Sequence, residues 1–173
     1  MINISDKIQK NTLKIAIVAY LVDIIVIILY YFNVGSDILK LSSSILSFLV
    51  FPIFFMAIII SNQESDNNKK NEIDYLSYYS NLFSGKPSWL QVTLTLTFIY
   101  SFVSYFYMVS HTSIGVPVIE NGEYFARNHS KVVSITKEKF DEISRFMNIG
   151  EASSVLFFYI ISIWMIYKKR FYV

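Results

Sequence analysis

Leu13 to Phe32 reads LKIAIVAYLVDIIVIILYYF, twenty residues with one lysine at the start and a single acid, Asp23, in the middle. At 1.5 Å per residue a helix of that length covers the roughly 30 Å of hydrocarbon in a bilayer. The stretch predicts a transmembrane helix. Lys7, Lys10 and Lys14 precede or open it, as in a secretory signal, but the apolar run is too long for one. Phe32-Asn33-Val34-Gly35 also offers no small-x-small cleavage pattern. The helix is therefore expected to be retained, and Asn33 to Asp37, a cluster of turn formers, to stop it.

Three further apolar blocks follow: Leu41 to Ile60, Trp89 to Val109 and Glu151 to Tyr167. With 54% hydrophobic and 16% charged residues among 173, the chain holds more apolar surface than one soluble core of this size hides. The expected fold class is all-α membrane, a four-transmembrane-helix bundle. The second helix opens on Ser42, Ser43 and Ser44 and contains Pro52, which leaves the carbonyl of Phe48 without its helical donor and predicts a bend. Lys168, Lys169 and Arg170 end the fourth helix.

The connections are uneven. Ser61 to Asn71 is polar and Asn-rich and reads as a solvated loop. Glu72 to Phe83 mixes Ile73, Leu76 and Leu82 with Tyr75, Tyr78 and Tyr79, as a short interfacial amphipathic helix does. Pro87-Ser88 would open the third helix. The domain division expected is 1–109 for helices one to three with a cytoplasmic loop at 61–88, 110–150 for a cap, and 151–173 for helix four and its basic tail.

Sidedness follows the bias of Lys and Arg toward cytoplasmic flanks. The lysines around helix one, Lys69, Lys70 and Lys86, and the closing Lys-Lys-Arg all fall on one side. Both termini are expected in the cytoplasm and loop 110–150 outside. Heavy use of Ile, Asn, Lys, Ser and Tyr suggests an AT-rich bacterial gene, hence the bacterial inner (plasma) membrane. Many aromatic residues sit at helix ends, among them Tyr30, Tyr31, Trp89, Tyr105, Tyr107, Trp164 and Tyr167, and read as interfacial anchors.

Asp23 is the unusual residue. An ionisable group at mid-span costs roughly 2.5–3.5 kcal/mol on insertion scales, so it should face protein or water. No Lys or Arg lies at matching depth, which points to a neutral, hydrogen-bonding carboxylic acid. Thr93, Thr97, Ser101 and Ser104 recur at four, four and three residues, a hydroxyl stripe on helix three at about the same depth. Asp23 is expected to meet that stripe inside a bundle or across a subunit boundary. One reading is a proton or ion step; the other is an interhelical hydrogen bond that fixes packing.

The loop between helices three and four is patterned. Asn121-Gly122 between two short apolar stretches predicts a two-residue hairpin turn, with Ile119 opposite Tyr124 and Val118 opposite Phe125. A third strand is expected at about Lys131 to Ile135. Thr136 would then cap a helix from Lys137 to about Asn148, with Phe140, Ile143 and Met147 on one face and Lys139, Asp141 and Glu142 in solvent. Together these predict a small extracytoplasmic β-hairpin/helix cap, whose candidate interaction residues are Pro117, Asn121, Gly122, Tyr124 and His129.

Gly115, Pro117, Gly122, Tyr124, His129, Ile135, Thr136 and Phe140 form a pattern Gly-x-Pro, Gly-x-Tyr, His, Ile-Thr-x-x-x-Phe. It resembles a segment found in small polytopic bacterial membrane proteins of uncharacterised role, over about 26 residues. The resemblance implies a shared outside cap and says nothing of chemistry.

Catalytic signatures are lacking. Zero cysteines remove thiolate nucleophiles and disulfides. His111 and His129 are the two histidines and stand in no His-x-x-x-His spacing. A zinc set assembled from His111, His129, Glu120 and Glu123 is the one paper alternative. Ser130 beside His129 is adjacency, which does not make a nucleophile and base. No phosphate loop or dinucleotide fingerprint occurs. A net charge of +2 does not suggest a nucleic-acid partner.

The expected function is that of a non-enzymatic inner-membrane protein acting through protein–protein interaction. It would sense or block an envelope-located agent, as an anti-phage (antiviral) defence membrane component or an immunity protein against a pore-forming bacteriocin. The alternative is a small oligomeric ion channel or proton-coupled carrier using Asp23. No cofactor or metal is expected, and the partners are the lipid bilayer and either copies of the chain or a membrane or cytoplasmic protein.

Overall fold

The computed structural model describes residues 5–34, 37–68, 86–128 and 131–167, without the side chains of 37 and 62–68. The order is α1 (Asp6–Tyr31), α2 (Asp37–Asn68), α3 (Ser88–His111), β1 (Val116–Glu120), β2 (Glu123–Asn128), β3 (Lys131–Ser134) and α4 (Lys137–Ile166). All four helices are long and apolar enough to cross a membrane. The suggested amphipathic helix at 72–83 and the Lys168-Lys169-Arg170 cluster lie outside the described residues.

Helix ends follow local chemistry. Ser5 accepts a hydrogen bond from the Ile8 N–H and starts α1 seven residues before the apolar block. Its end is closed by Asn33 in the left-handed region (φ 56°), with the Val34 N–H reaching back to the Leu29 carbonyl at 3.0 Å.

Two expectations need correction. α2 does not end near Ile60 but continues through Ser61 to Asn68. Polar, Asn-rich sequence lowers helix propensity but does not by itself end a helix. Helix four and the short helix before it are likewise one element: α4 runs unbroken from Lys137 to Ile166, through the glycine read as a boundary. Inside this helix Gly150 gives up its side-chain space to Met108, whose Sδ a Cβ would strike. The missing side chain lets α3 and α4 approach, which is what small residues do between membrane helices.

α4 is the hub. α1, α2 and α3 all pack on it, and 61% of its apolar window is buried, against 33% for α1, 28% for α2 and 11% for α3. The face of α1 that meets this hub is Leu13, Ala16, Ala19, Asp23, Val26 and Tyr30, spaced by three and four as one helical face requires. From α2 come Leu46, Val50, Ile53, Ala57 and Ile60; from α4, Ile149, Tyr159, Ile160, Ile163 and Trp164. Pro52 lies inside α2. Two residues before Phe48, the Tyr159 hydroxyl donates to the Leu46 carbonyl at 2.7 Å.

The three strands form an antiparallel sheet in the order β1-β2-β3. Its register places Val118 opposite Phe125 and Ile119 opposite Tyr124, as Asn121-Gly122 predicts. Both turn residues have positive φ, 52° and 84°, which a type I′ turn demands. Gly115 (φ 136°) admits the backbone of Arg127 where a Cβ would clash at 2.5 Å. Thr136 caps α4 by accepting from the Lys139 N–H. The sheet rests on the first turns of α4 through Ala126, fully buried, and through the Tyr124 ring, 5.1 Å from that of Phe140.

Candidate functional site

The polar residues predicted on α1 and α3 are brought together, but not in the pairing expected. Thr97 and Ser104 are buried, and Thr93 and Ser101 half-buried, so the stripe does face inward. The contact to α1 is made by Tyr20, whose hydroxyl lies 2.9 Å from that of Thr97. Ser101 turns to α4 and donates to the Ser153 carbonyl at 2.7 Å. Thr93 returns its proton to the Trp89 carbonyl within α3. The depth match between α1 and the stripe is real, one turn away from Asp23.

Asp23 itself faces the hub. It is 1% exposed, and among the described residues neither carboxyl oxygen has a hydrogen-bond partner. The phenols of Tyr159 and Tyr30 lie within electrostatic reach. The geometry follows from spacing: Ala19 and Val26, one turn before and after Asp23, are both in the core, so Asp23 has no route to the surface. A carboxyl with two open oxygens in an apolar interior is destabilising unless protonated or given a partner. Chemically it can hold a proton or accept a donor group.

The candidate surface on the sheet divides into two parts. Pro117 and Tyr124 are half-buried and face α4, so they fix the sheet in place and do not present it. Asn121 and Gly122 form the exposed turn. His129 lies outside the described residues. What the sheet presents on the face turned away from α4 is apolar: Val116 and Val132 flank Arg127 in register and are 51% and 50% exposed, and Arg127 pairs with Glu120 on this face, whereas Ile119, 57% exposed, lies on the same face as Tyr124. Alternation along the strands was the signal that could have singled out Val116 and Val132.

His111 stands with its ring centroid 4.1 Å from that of Phe146, and its Nδ1 is 2.9 Å from the Tyr107 carbonyl. Among the described residues no group of three or more metal-type side chains gathers.

At the opposite end of the helices a feature appears that the sequence reading missed. The Lys86 ammonium donates to the carbonyls of Trp164 and Tyr167 at 2.6 and 2.5 Å, and lies 5.9 and 6.0 Å from the centroids of their rings. Trp89 meets Tyr167 edge to face. A cation beside exposed carbonyls at a helix C-terminus is favourable on hydrogen-bond and dipole grounds. The basic residue next to Pro87 and the aromatic pair were visible; their meeting across 78 residues was not.

Comparison with protein-family models, with curated proteins and with solved structures finds no match.

Proposed function

We propose that this chain is a non-enzymatic protein of a bacterial inner membrane, with both termini in the cytoplasm, that acts through protein–protein contact. Its sheet lies outside and meets an envelope-located agent. Two forms fit that role: the membrane component of an anti-phage defence system, and immunity to a pore-forming bacteriocin. The observation that carries the reading is the outward sheet face, with Val116 and Val132 half exposed on either side of Arg127, on a scaffold anchored through its other face by Ala126 and Tyr124. Apolar side chains held out on a small, well-anchored sheet are a contact surface in want of a partner.

The test is protection. Cells expressing the chain are challenged with a panel of phages and a panel of pore-forming bacteriocins, beside cells expressing Val116→Asp or Val132→Asp at equal membrane levels. Protection that both substitutions abolish supports the proposal. Protection against neither panel, or protection indifferent to the sheet, overturns it.

A second reading, a small oligomeric channel or proton-coupled carrier, is favoured by the two unpartnered oxygens of Asp23. Asp23→Asn keeps size and hydrogen bonding but removes titration. Proton or cation flux in proteoliposomes that is unchanged by Asp23→Asn from about pH 5 to pH 8 removes this reading.

A further inference from the structure

α1 and α3 both pack on α4 and are bridged by the Tyr20–Thr97 hydroxyl pair, and beside that bridge they leave an open groove of about 340 Å³. Its walls are Ile24, Ile27 and Ile28 on one side and Leu96 on the other, and Leu156 of α4 forms its floor. We propose that this groove holds one acyl chain of a membrane lipid, drawn from the leaflet on the side of the sheet. The proposal rests on the reading that α1 and α3 cross a bilayer, and not on what the sheet contacts.

Length comes first. The groove extends along α1 from Tyr20 to Tyr31, about 16 Å at 1.5 Å per residue. Half of a hydrocarbon core roughly 30 Å thick is about 15 Å. With Asp23 near mid-span, the Tyr31 end sits at the interface and the Tyr20 end just past the midplane. A groove one leaflet long matches a lipid tail and is half the length that a crossing helix needs.

Width gives the same answer. All the atom-free space there, about 680 Å³, over that length is a mean cross-section of at most about 40 Å². A helix 10–12 Å across with its side chains requires roughly 80–110 Å². A single methylene chain, making its contacts at about 3.5–4.0 Å, fits the narrower figure.

Chemistry agrees with shape. The walls and floor between the two ends are aliphatic except for the ring of Tyr100 on α3, whose hydroxyl is buried, and the hydroxyls of Tyr20 and Thr97 satisfy each other at the deep end. The tyrosine at the outer end, Tyr31, is half exposed and stands where the polar glycerol region of a lipid begins. The tail gains contact on three sides, and the helices lose a void.

The experiment uses the full chain in proteoliposomes containing a phosphatidylethanolamine with a photoactivatable diazirine on its acyl chain. Crosslinked residues are mapped by mass spectrometry. Labelling at Ile28 and Leu96 several-fold above that at Phe98 and Phe55, which lie on exposed faces elsewhere, is the expected result. Ile24→Trp, and separately Ile28→Trp, should fill the groove and lower that labelling several-fold, while Phe55→Trp leaves it unchanged. Equal labelling of groove and exposed faces overturns the proposal. So does a crosslink between two copies through cysteines placed at Leu96, with the lipid label excluded, because a helix then occupies the position. Alkaline extraction separates the two failures: a chain released from the membrane fraction refutes the bilayer reading, and one retained but unlabelled refutes the groove alone.

Discussion

The side-chain nitrogen of Lys86 lies 2.6 Å from the carbonyl oxygen of Trp164, so the residue that leads into α3 closes the last turn of α4. A hydrogen bond to a charged donor contributes about 1.5–3 kcal/mol and the helix dipole about 0.3–1 kcal/mol. Lys86→Met is expected to lower stability in detergent by about 1–3 kcal/mol and Lys86→Arg by less. Unfolding curves followed by circular dichroism check this. Equal stability of Lys86→Met and the parent would show the contact to be inert.

Gly150 of α4 lies against the Met108 side chain of α3, in the space a Cβ would need. Gly150→Leu should separate the helices, at the about 1–3 kcal/mol typical of overpacking. Met108→Ala should restore part of the loss, because it removes the Sδ and Cγ that a new Cβ would strike, while the Met108 Cβ position stays. A double-mutant cycle measures the coupling, and strictly additive effects would contradict the contact.

Tyr20→Phe and Thr97→Val each remove one end of the same bond between α1 and α3. Interhelical hydrogen bonds of membrane proteins average about 0.6 kcal/mol and reach about 1.7. Each single change and the double change should therefore fall in that range and be nearly equal. A double change costing the sum of the two would mean that the hydroxyls act separately.

For Asp23 the sign of the stability effect is informative. Two buried oxygens without partners weigh against folding by about 1–3 kcal/mol, so Asp23→Leu is expected to raise the denaturation midpoint. Loss of protection or of flux in that more stable variant would assign the carboxyl to function. A lower midpoint would show instead that the acid holds the helices together.

Gly122 adopts φ 84° with open space around a hypothetical Cβ. Gly122→Ala is therefore a test of backbone strain alone, and should cost about 1–2 kcal/mol in the hairpin. Amide exchange at Ile119 and Tyr124 would report it, with little change in the helices.

Much of the fold is legible in local pattern. The Asn-Gly pair sets the hairpin register because no other two-residue turn matches the strand twist so well, and Thr136 announces α4. What escapes is whatever depends on a distant neighbour. Gly150 looks like a stop because glycine ends helices in water, whereas here Met108 uses the space it leaves. Ser61 to Asn68 looks like a loop because its side chains are polar, although the helix simply outlasts its apolar face. At the candidate site Thr97 and Ser104 of the hydroxyl stripe are buried, and the partner of Thr97 on α1 is Tyr20 and not Asp23. The two are three residues apart on α1, about 4.5 Å in depth and about 60° in direction around the helix, which is enough to turn one toward α3 and the other toward α4.

The unbroken course of α4 has a mechanical consequence. Thirty residues of helix form a strut about 45 Å long, braced at one tip by Ala126 and gripped at the other by Lys86. Such a strut does not shorten under load, so a tug or tilt imposed on the strands travels along it and arrives at the grip as a displacement of Trp164 and Tyr167. The two ends of the molecule are thereby geared to each other without any rearrangement of the helices between them.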